Sequence, residues 1–251
     1  MTWLLDLDGV VWLGTEPISG AAEAVAVLRA RGDRVVFITN NSNAPAAAVE
    51  AKLASFGIPA GGDVVTSAEA GALLLEPGER VLVCGGPGVW QAVAARRAIP
   101  VDALDERQVD AVLVGYHREF DYERMRVAAR AVRRGARLLA TNDDVTFPTL
   151  DGPIPGNGSI LAGIVLAAGS PPVAVAGKGH PTMAALVRDR YGADGWMVGD
   201  RPDTDGRFAR TIGYRFALVL SGVTTAGDLP VDPEPDLIAA DLAEVVARAA
   251  G

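Results

Sequence analysis

Residues 3–9 read Trp3-Leu4-Leu5-Asp6-Leu7-Asp8-Gly9. The run from Trp3 to Leu7 is predicted to be a buried strand, and Gly9 to close a turn after it. In extended backbone, residues two apart project to the same side, so the carboxylates of Asp6 and Asp8 can serve one pocket. Open α/β sheets bind ligands at the carboxyl ends of their strands, which is where this pair would lie. An ordinary acidic turn is the alternative interpretation of these residues.

Outward from this stretch, short apolar runs alternate with patterns of helical periodicity. The predicted helices lie between strands at residues 34–38, 64–65, 80–84, 111–114, 138–140, 173–176, 195–198 and 216–220. This alternation predicts an α/β fold with a Rossmann-like parallel sheet, whose strands are buried on both faces. Two breaks interrupt it, at Glu76-Pro77-Gly78 and at Ser170-Pro171-Pro172. We therefore predict a core over residues 1–78 and 173–251, with a second α/β domain inserted at residues 79–172.

Composition and charge exclude several classes of protein. The 251 residues are 49% hydrophobic, which is enough for a sizeable core. The net charge of −8, from 23 basic and 31 acidic residues, argues against nucleic acid as a partner. No uninterrupted apolar stretch approaches the roughly 18 residues that a membrane span needs, so no membrane partner is expected. Cys84 is the only cysteine and no signal peptide is visible, so we expect a cytoplasmic protein.

Two further polar segments follow predicted strands. Thr39-Asn40-Asn41 offers a hydroxyl and backbone N–H groups that would cradle an anion, and a helix N-cap cluster is the alternative. Lys178 lies between two glycines after the strand at 173–176, and glycines let a backbone approach a ligand closely. Its ammonium could neutralise both a phosphate and the Asp6 carboxylate. A solvated loop lysine is the alternative.

The last of these segments carries Asp200 and Asp205. Asp200 stands at the end of the predicted strand 195–198, as Asp6 stands at the end of the first strand. Mg²⁺ binds through one or two carboxylates together with water and substrate phosphate, and these residues suit it. Another acidic turn is the alternative. Each segment alone is a weak signal, but all of them, each at a strand end, indicate one phosphate-handling site.

These segments, in this order, resemble those of the haloacid dehalogenase-type (HAD) phosphatase superfamily, over essentially the whole chain. A second set resembles the inserted cap of its NagD-type group: Ala140-Thr141-Asn142-Asp143-Asp144, Pro148, Asp151-Gly152 and Pro155-Gly156-Asn157-Gly158-Ser159. The resemblance implies a magnesium-dependent phosphomonoester hydrolase with a cap domain over its core. Its substrate would be a small phosphorylated metabolite: a sugar phosphate, glycerol phosphate, phosphoglycolate or a nucleoside monophosphate.

The resemblance also implies roles for the residues. Asp6 would be the nucleophile that forms an aspartyl-phosphate, and Asp8 the general acid and base. Mg²⁺ would be held by Asp6, by the backbone carbonyl of Asp8 and by Asp200, with Asp205 orienting a metal-bound water. The residues implied to bind the phosphoryl group are Thr39, Asn40, Asn41 and Lys178.

Specificity is expected to come from the inserted domain, because the catalytic segments all lie outside it. Its loop from Thr146 to Pro155 carries Phe147, which we predict to contact substrate; packing inside the cap is the alternative. Two other functions on this scaffold stay open, a phosphate-ligand sensor and a phosphomutase. Dehalogenases of this superfamily lack the second aspartate, so Asp8 argues against that activity. A homodimer is compatible with the sequence.

Overall fold

The computed structural model describes residues 1–102, 108–147, 149 and 152–249. Its strands in chain order are β1 Thr2–Leu5, β2 Trp12–Leu13, β3 Glu16–Pro17, β4 Arg34–Thr39, β5 Val64–Thr66, β6 Arg80–Cys84, β7 Ile99–Val101, β8 Ala111–Val114, β9 Arg137–Ala140, β10 Thr146–Phe147, β11 Ile154–Pro155, β12 Ala174–Val175, β13 Gly195–Gly199, β14 Arg215–Val219 and β15 Leu237–Ala239. Its α-helices are α1 Ala21–Ala30, α2 Ala46–Ser55, α3 Ser67–Ala72, α4 Pro87–Ala95, α5 Tyr122–Arg133, α6 Asn157–Ala168, α7 Pro181–Tyr191, α8 Arg207–Ile212 and α9 Leu242–Arg248. A π-helical turn at Pro202–Gly206 leads into α8, and a short 3-10 turn covers Ala226–Asp228.

The first sheet forms the core and has six parallel strands in the order β15-β14-β13-β1-β4-β5. Successive side chains of β1 point to opposite faces, as they must in a strand. Leu5 packs with residues of α1, α2 and α9, whereas Leu4 packs with residues of α7 and α8. Helices therefore cover both faces of the sheet, which confirms the predicted doubly wound arrangement.

The second sheet has five parallel strands in the order β12-β9-β8-β6-β7. Its buried apolar side chains pack with α4 on one face and with α5 and α6 on the other. This confirms that the inserted segment is an α/β unit with its own core. The strand that we predicted at 173–176 was placed in the core, and this was wrong. It covers only Ala174–Val175 and is hydrogen-bonded to β9, where Ala174 lies beside Leu139. The boundary at 78/79 stays a prediction, and the pairing of β12 with β9 argues for a second boundary after Val175 instead of at 172/173.

Two hairpins escaped the sequence analysis. β2 and β3 pair shortly after Gly9, and β10, which contains Phe147, pairs with β11. Each strand has two residues, which is too short to show an alternating pattern. Among the described residues no helix is long and apolar enough to cross a membrane.

Candidate functional site

The candidate site lies where the carboxyl ends of β4, β1 and β13 meet at one edge of the core sheet. Asp6 follows β1, Asn40 follows β4 and Asp200 follows β13. Lys178 reaches the same cavity from the loop after β12. Because the three core strands are parallel neighbours, their ends deliver these side chains to one place. The structure thus brings together all the segments that the sequence singled out.

Asp6 is almost completely buried, with 7% of its surface exposed. Its Oδ1 accepts the N–H of Leu7 at 2.8 Å and lies 2.8 Å from the Lys178 ammonium. Burial raises the pKa of Asp6, and the neighbouring Lys178 opposes that rise. The two contacts fix the carboxylate and use only one of its oxygens.

Lys178 bridges two carboxylates. Its Nζ lies 2.8 Å from Asp6 and donates to Asp205 at 2.6 Å, and the residue is 4% exposed. Burial alone would lower the pKa of Lys178, but Asp205 and Asp6 outweigh it and raise the pKa. The lysine is therefore a buried cation, and the alternative of a solvated loop lysine is wrong.

Asp200 and Asp205 are two further buried acids, close to Asp6. Asp200 is 1% exposed and accepts the N–H of Val223 at 2.6 Å. Burial, followed by repulsion from Asp205 and Asp6, raises the pKa of Asp200 to about 8. Burial also raises the pKa of Asp205 to about 6, although Lys178 counteracts it. One lysine is not enough to neutralise these acids.

A cation would complete this charge balance. One oxygen from each of Asp6, Asp200 and Asp205 lies within 4.8 Å of the others. Hard divalent cations prefer such oxygen ligands. Asp205, however, uses one oxygen for Lys178 and the other for the N–H of Arg201 at 3.1 Å. The residues can hold a metal, and Asp205 has less freedom to coordinate it than the other two acids.

Asp8 lines the cavity beside Asp6. Its Oδ1 accepts a hydrogen bond of 2.9 Å from Nε1 of Trp12. Burial raises the pKa of Asp8, with smaller opposing effects from Trp12 and Lys52. A carboxyl group with a raised pKa is suited to giving and taking a proton.

The Thr39-Asn40-Asn41 segment is organised by its own side chains. The Thr39 hydroxyl accepts the Asn41 N–H at 3.0 Å. Asn40 accepts the backbone N–H of Lys178 at 2.8 Å and donates to Asp144 of the inserted domain at 2.9 Å. The next helix, α2, is capped by Pro45 without any side-chain hydrogen bond, so the alternative of an N-cap cluster is wrong. The segment instead ties the core, the lysine loop and the inserted domain together.

The inserted domain supplies the opposite wall of the cavity, formed by Tyr116, Asn142, Asp144, Thr146, Phe147, Gly156 and Asn157. Phe147 is half-buried and stacks on Tyr116, with ring centroids 5.7 Å apart and planes at 12°. The sequence analysis missed Tyr116 and Arg201, which also lines the cavity. Tyr116 follows β8, so its place at a strand end was the available signal. Two residues of the expected cap motif, Pro148 and Asp151, lie outside the described residues.

Comparison with known proteins places the chain in a family. The sequence model described as haloacid dehalogenase-like hydrolase matches residues 3–97, and a second model of HAD-like hydrolases matches residues 175–245. An acid sugar phosphatase of Staphylococcus saprophyticus is 35% identical over 252 residues, which are 97% of this chain and 96% of that protein. The chain belongs to the haloacid dehalogenase-like hydrolases. It is a phosphatase of the NagD and p-nitrophenylphosphatase type within them.

Other members of this hydrolase family are similarly close. D-glycerol 3-phosphate phosphatase of Mycobacterium tuberculosis is 40% identical over 232 residues, 90% of this chain, and the match spans 64% of that relative's length. The crystal structure of a glycerol phosphate phosphatase of that organism in complex with magnesium superposes with a TM-score of 0.88 at 38% identity, covering 96% of this chain and 74% of that one. The 4-nitrophenylphosphatase of Thermotoga maritima superposes with a TM-score of 0.90 at 31% identity, covering 98% and 96%.

Proposed function

We propose that this phosphatase hydrolyses phosphomonoesters of small metabolites through a phosphoryl group carried on Asp6. The observation that carries the proposal is the buried Asp6 carboxylate, fixed by Lys178 at 2.8 Å and facing the inserted domain across one cavity. Asp200 and Asp8 converge on the same cavity. The assignment of roles to these residues rests on the geometry together with the family.

In the first step an Asp6 oxygen attacks phosphorus, and the bond from phosphorus to the ester oxygen breaks. Lys178, the Thr39 hydroxyl and the Asn40 backbone N–H stabilise the charge on the transferring group. The Asn40 side chain is committed to Lys178 and Asp144, so it acts by fixing this cradle. In the second step water displaces Asp6 from phosphorus and releases phosphate.

Asp8 moves the proton in both steps. It protonates the leaving oxygen in the first step and takes a proton from the attacking water in the second. Its pKa, raised by burial, favours this double role, because Asp8 takes up and keeps a proton more readily than an ordinary aspartate does.

We propose Mg²⁺ as the cofactor, held by Asp6, the backbone carbonyl of Asp8 and Asp200. When bound, it would reduce the repulsion between the nucleophile and the phosphate oxygens. Both oxygens of Asp205 already accept hydrogen bonds, so we do not propose it as a direct metal ligand. Asp205 would instead hold Lys178 and orient a metal-bound water. The raised pKa values of Asp200 and Asp205 fit this proposal, because burial, followed by repulsion among the acids, disfavours their charged forms and Lys178 alone does not offset this.

Small phosphorylated metabolites are the substrates that fit the family. Relatives are named D-glycerol 3-phosphate phosphatase, acid sugar phosphatase and 5'-nucleotidase. We propose that Phe147 and Tyr116 contact the organic part of the substrate, opposite the catalytic acids. The cytoplasmic location and the homodimer stay predictions, and size-exclusion chromatography with light scattering tests the second.

The test is turnover of p-nitrophenyl phosphate with and without Mg²⁺, followed by a screen of phosphorylated metabolites. We expect hydrolysis that disappears in chelator and returns with Mg²⁺. Binding without turnover would favour the phosphate sensor, which is the less consistent alternative because all proposed catalytic residues are present. Transfer of phosphate back to a second position of a sugar, without release, would favour a phosphomutase.

A further inference from the structure

The side chain of Trp12, in the first hairpin, donates a hydrogen bond to Asp8. Trp12 begins β2, four residues after Asp8, and is 4% exposed. The Trp12 carbonyl accepts the N–H of Gly9 at 2.7 Å, and the Trp12 N–H donates to the Leu7 carbonyl at 3.1 Å. This tight turn brings the indole Nε1 to 2.9 Å from Oδ1 of Asp8.

We propose that Trp12 is a positioning residue that decides which oxygen of Asp8 carries the proton. An indole N–H can only donate, so Oδ1 is held as an acceptor and the proton resides on Oδ2. This inference rests on the proposed role of Asp8 as general acid. As the ester bond breaks, the Oδ2 proton passes to the leaving oxygen. The negative charge that remains on Asp8 is stabilised through Oδ1 by the indole hydrogen bond.

Lys52 and Phe56 hold the indole ring in this orientation. The Lys52 ammonium lies 3.9 Å from the centroid of the Trp12 ring and donates to the Gly14 carbonyl at 2.8 Å. The Phe56 ring is tilted against the indole, with centroids 6.0 Å apart. Trp12 and Lys52 line a cavity of about 150 Å³ together with Asp8, beside the catalytic residues. A ring clamped by a cation and a second ring cannot turn its N–H away from Asp8 without losing both contacts.

The experiment compares Trp12→Phe with wild type on two substrates, glycerol 3-phosphate and p-nitrophenyl phosphate. Phe keeps an aromatic ring for Lys52 and Phe56 but has no N–H. Loss of this hydrogen bond should lower kcat/KM for the alkyl ester by about tenfold. The nitrophenyl ester should lose less than about threefold, because nitrophenolate leaves without needing a proton. Trp90→Phe, which removes an indole from the inserted domain, should leave the ratio of the two kcat/KM values unchanged.

A merely structural role would lower both activities together, so a uniform loss, or no change in the ratio, overturns the inference. If Trp12→Phe does not fold, benzothienylalanine at position 12 replaces the N–H by sulfur in a ring of the same shape. Asp8→Asn distinguishes failure of the Trp12 role from failure of the proposed acid role of Asp8. If it changes the substrate ratio but the Trp12 variants do not, only the inference fails. If Asp8→Asn itself leaves the ratio unchanged, the acid role in the proposed function fails as well.

Discussion

At the scale of single residues, the site is defined by an excess of buried negative charge. Asp6, Asp200 and Asp205 are almost completely buried, and Lys178 is the cation that contacts two of them. Buried charges cost several kcal/mol each unless they are paired. The metal-free protein should therefore keep a proton on one of these acids at a pH where exposed aspartates have lost theirs.

This predicts an unusual dependence of stability on pH. The pKa of Asp200 is about 8 in the folded protein, above its ordinary value of 3.8. Between these values the folded state binds more protons than the unfolded state, so the free energy of unfolding should fall as pH rises toward 8. One such group contributes at most about 1.4 kcal/mol per pH unit.

The measurement is urea unfolding of the metal-free protein at about pH 6 and at about pH 8, with Asp200→Asn as the matched variant. The amide does not titrate, so the variant should lose most of the difference between the two pH values. Saturating Mg²⁺ should reverse the trend in wild type, because metal binding requires ionised acids. A wild-type slope that persists unchanged in Asp200→Asn would mean that other groups cause it.

At the scale of elements, loops from distant parts of the chain shape the proposed metal site. Gly9, in the turn after β1, has a φ of +85°, and a Cβ there would overlap the Asp200 carboxylate. A Cβ at Gly222, in the loop after β14, would overlap the same carboxylate. The backbone N–H of the neighbouring Val223 donates a hydrogen bond to Asp200. The Asp200 side chain is thus held by two backbone segments that contribute no charged group.

Gly222→Ala should displace the proposed metal ligand Asp200 while leaving the side chains of Asp6 and Asp8 in place. The added Cβ would overlap Oδ2 of Asp200, so the concentration of Mg²⁺ needed for half-maximal activity should rise about tenfold or more. Gly227→Ala is the matched control, because its nearest neighbour would be the Thr225 hydroxyl at an ordinary 3.7 Å. Titration of activity with Mg²⁺ measures both, and equal affinities in the two variants would refute the role of Gly222.

The β10–β11 hairpin carries the predicted specificity residue. Phe147→Ala removes the ring that stacks on Tyr116, so the ranking of metabolites by kcat/KM should change. Acetyl phosphate should hardly be affected, because the core alone supplies its chemistry. Tyr122→Ala, at a residue 71% exposed, serves as the control aromatic deletion in the same domain. If all substrates fall by the same factor, Phe147 does not select among them.

The sequence was sufficient wherever a signal is local. Asp6 and Asp200 follow strands that are mostly buried, and a strand end in a parallel sheet fixes where a side chain goes. The sequence was insufficient to predict contacts between segments that are distant along the chain. The two residues of β12 fit either sheet, and only their pairing with β9 places them. The bridge that Asn40 makes between Lys178 and Asp144 joins three separate loops, so no spacing along the chain could reveal it.

At the scale of the whole molecule, two parallel sheets face each other through the carboxyl ends of their strands. Ser42 of the core accepts from Thr141 at 3.1 Å, and Asn142 donates to the Asn40 carbonyl at 2.7 Å. His180 and Asp143 add a contact of 2.9 Å across the same junction. The carboxyl ends of the strands in the two sheets therefore face each other, and the cavity between them has the proposed catalytic acids on one side and Phe147 on the other.

In the proposed mechanism the phosphoryl group is carried by Asp6 between the two steps. The most direct measurement is mass spectrometry of the Asp8→Asn variant, quenched in acid during turnover of p-nitrophenyl phosphate. This ester forms the intermediate without help from an acid, whereas hydrolysis of the intermediate needs the base that Asp8 provides. The intermediate should therefore accumulate, and we predict one phosphoryl group on the peptide that contains Asp6, located at that residue. Release of nitrophenol and phosphate with no phosphoryl group on Asp6 would contradict the account.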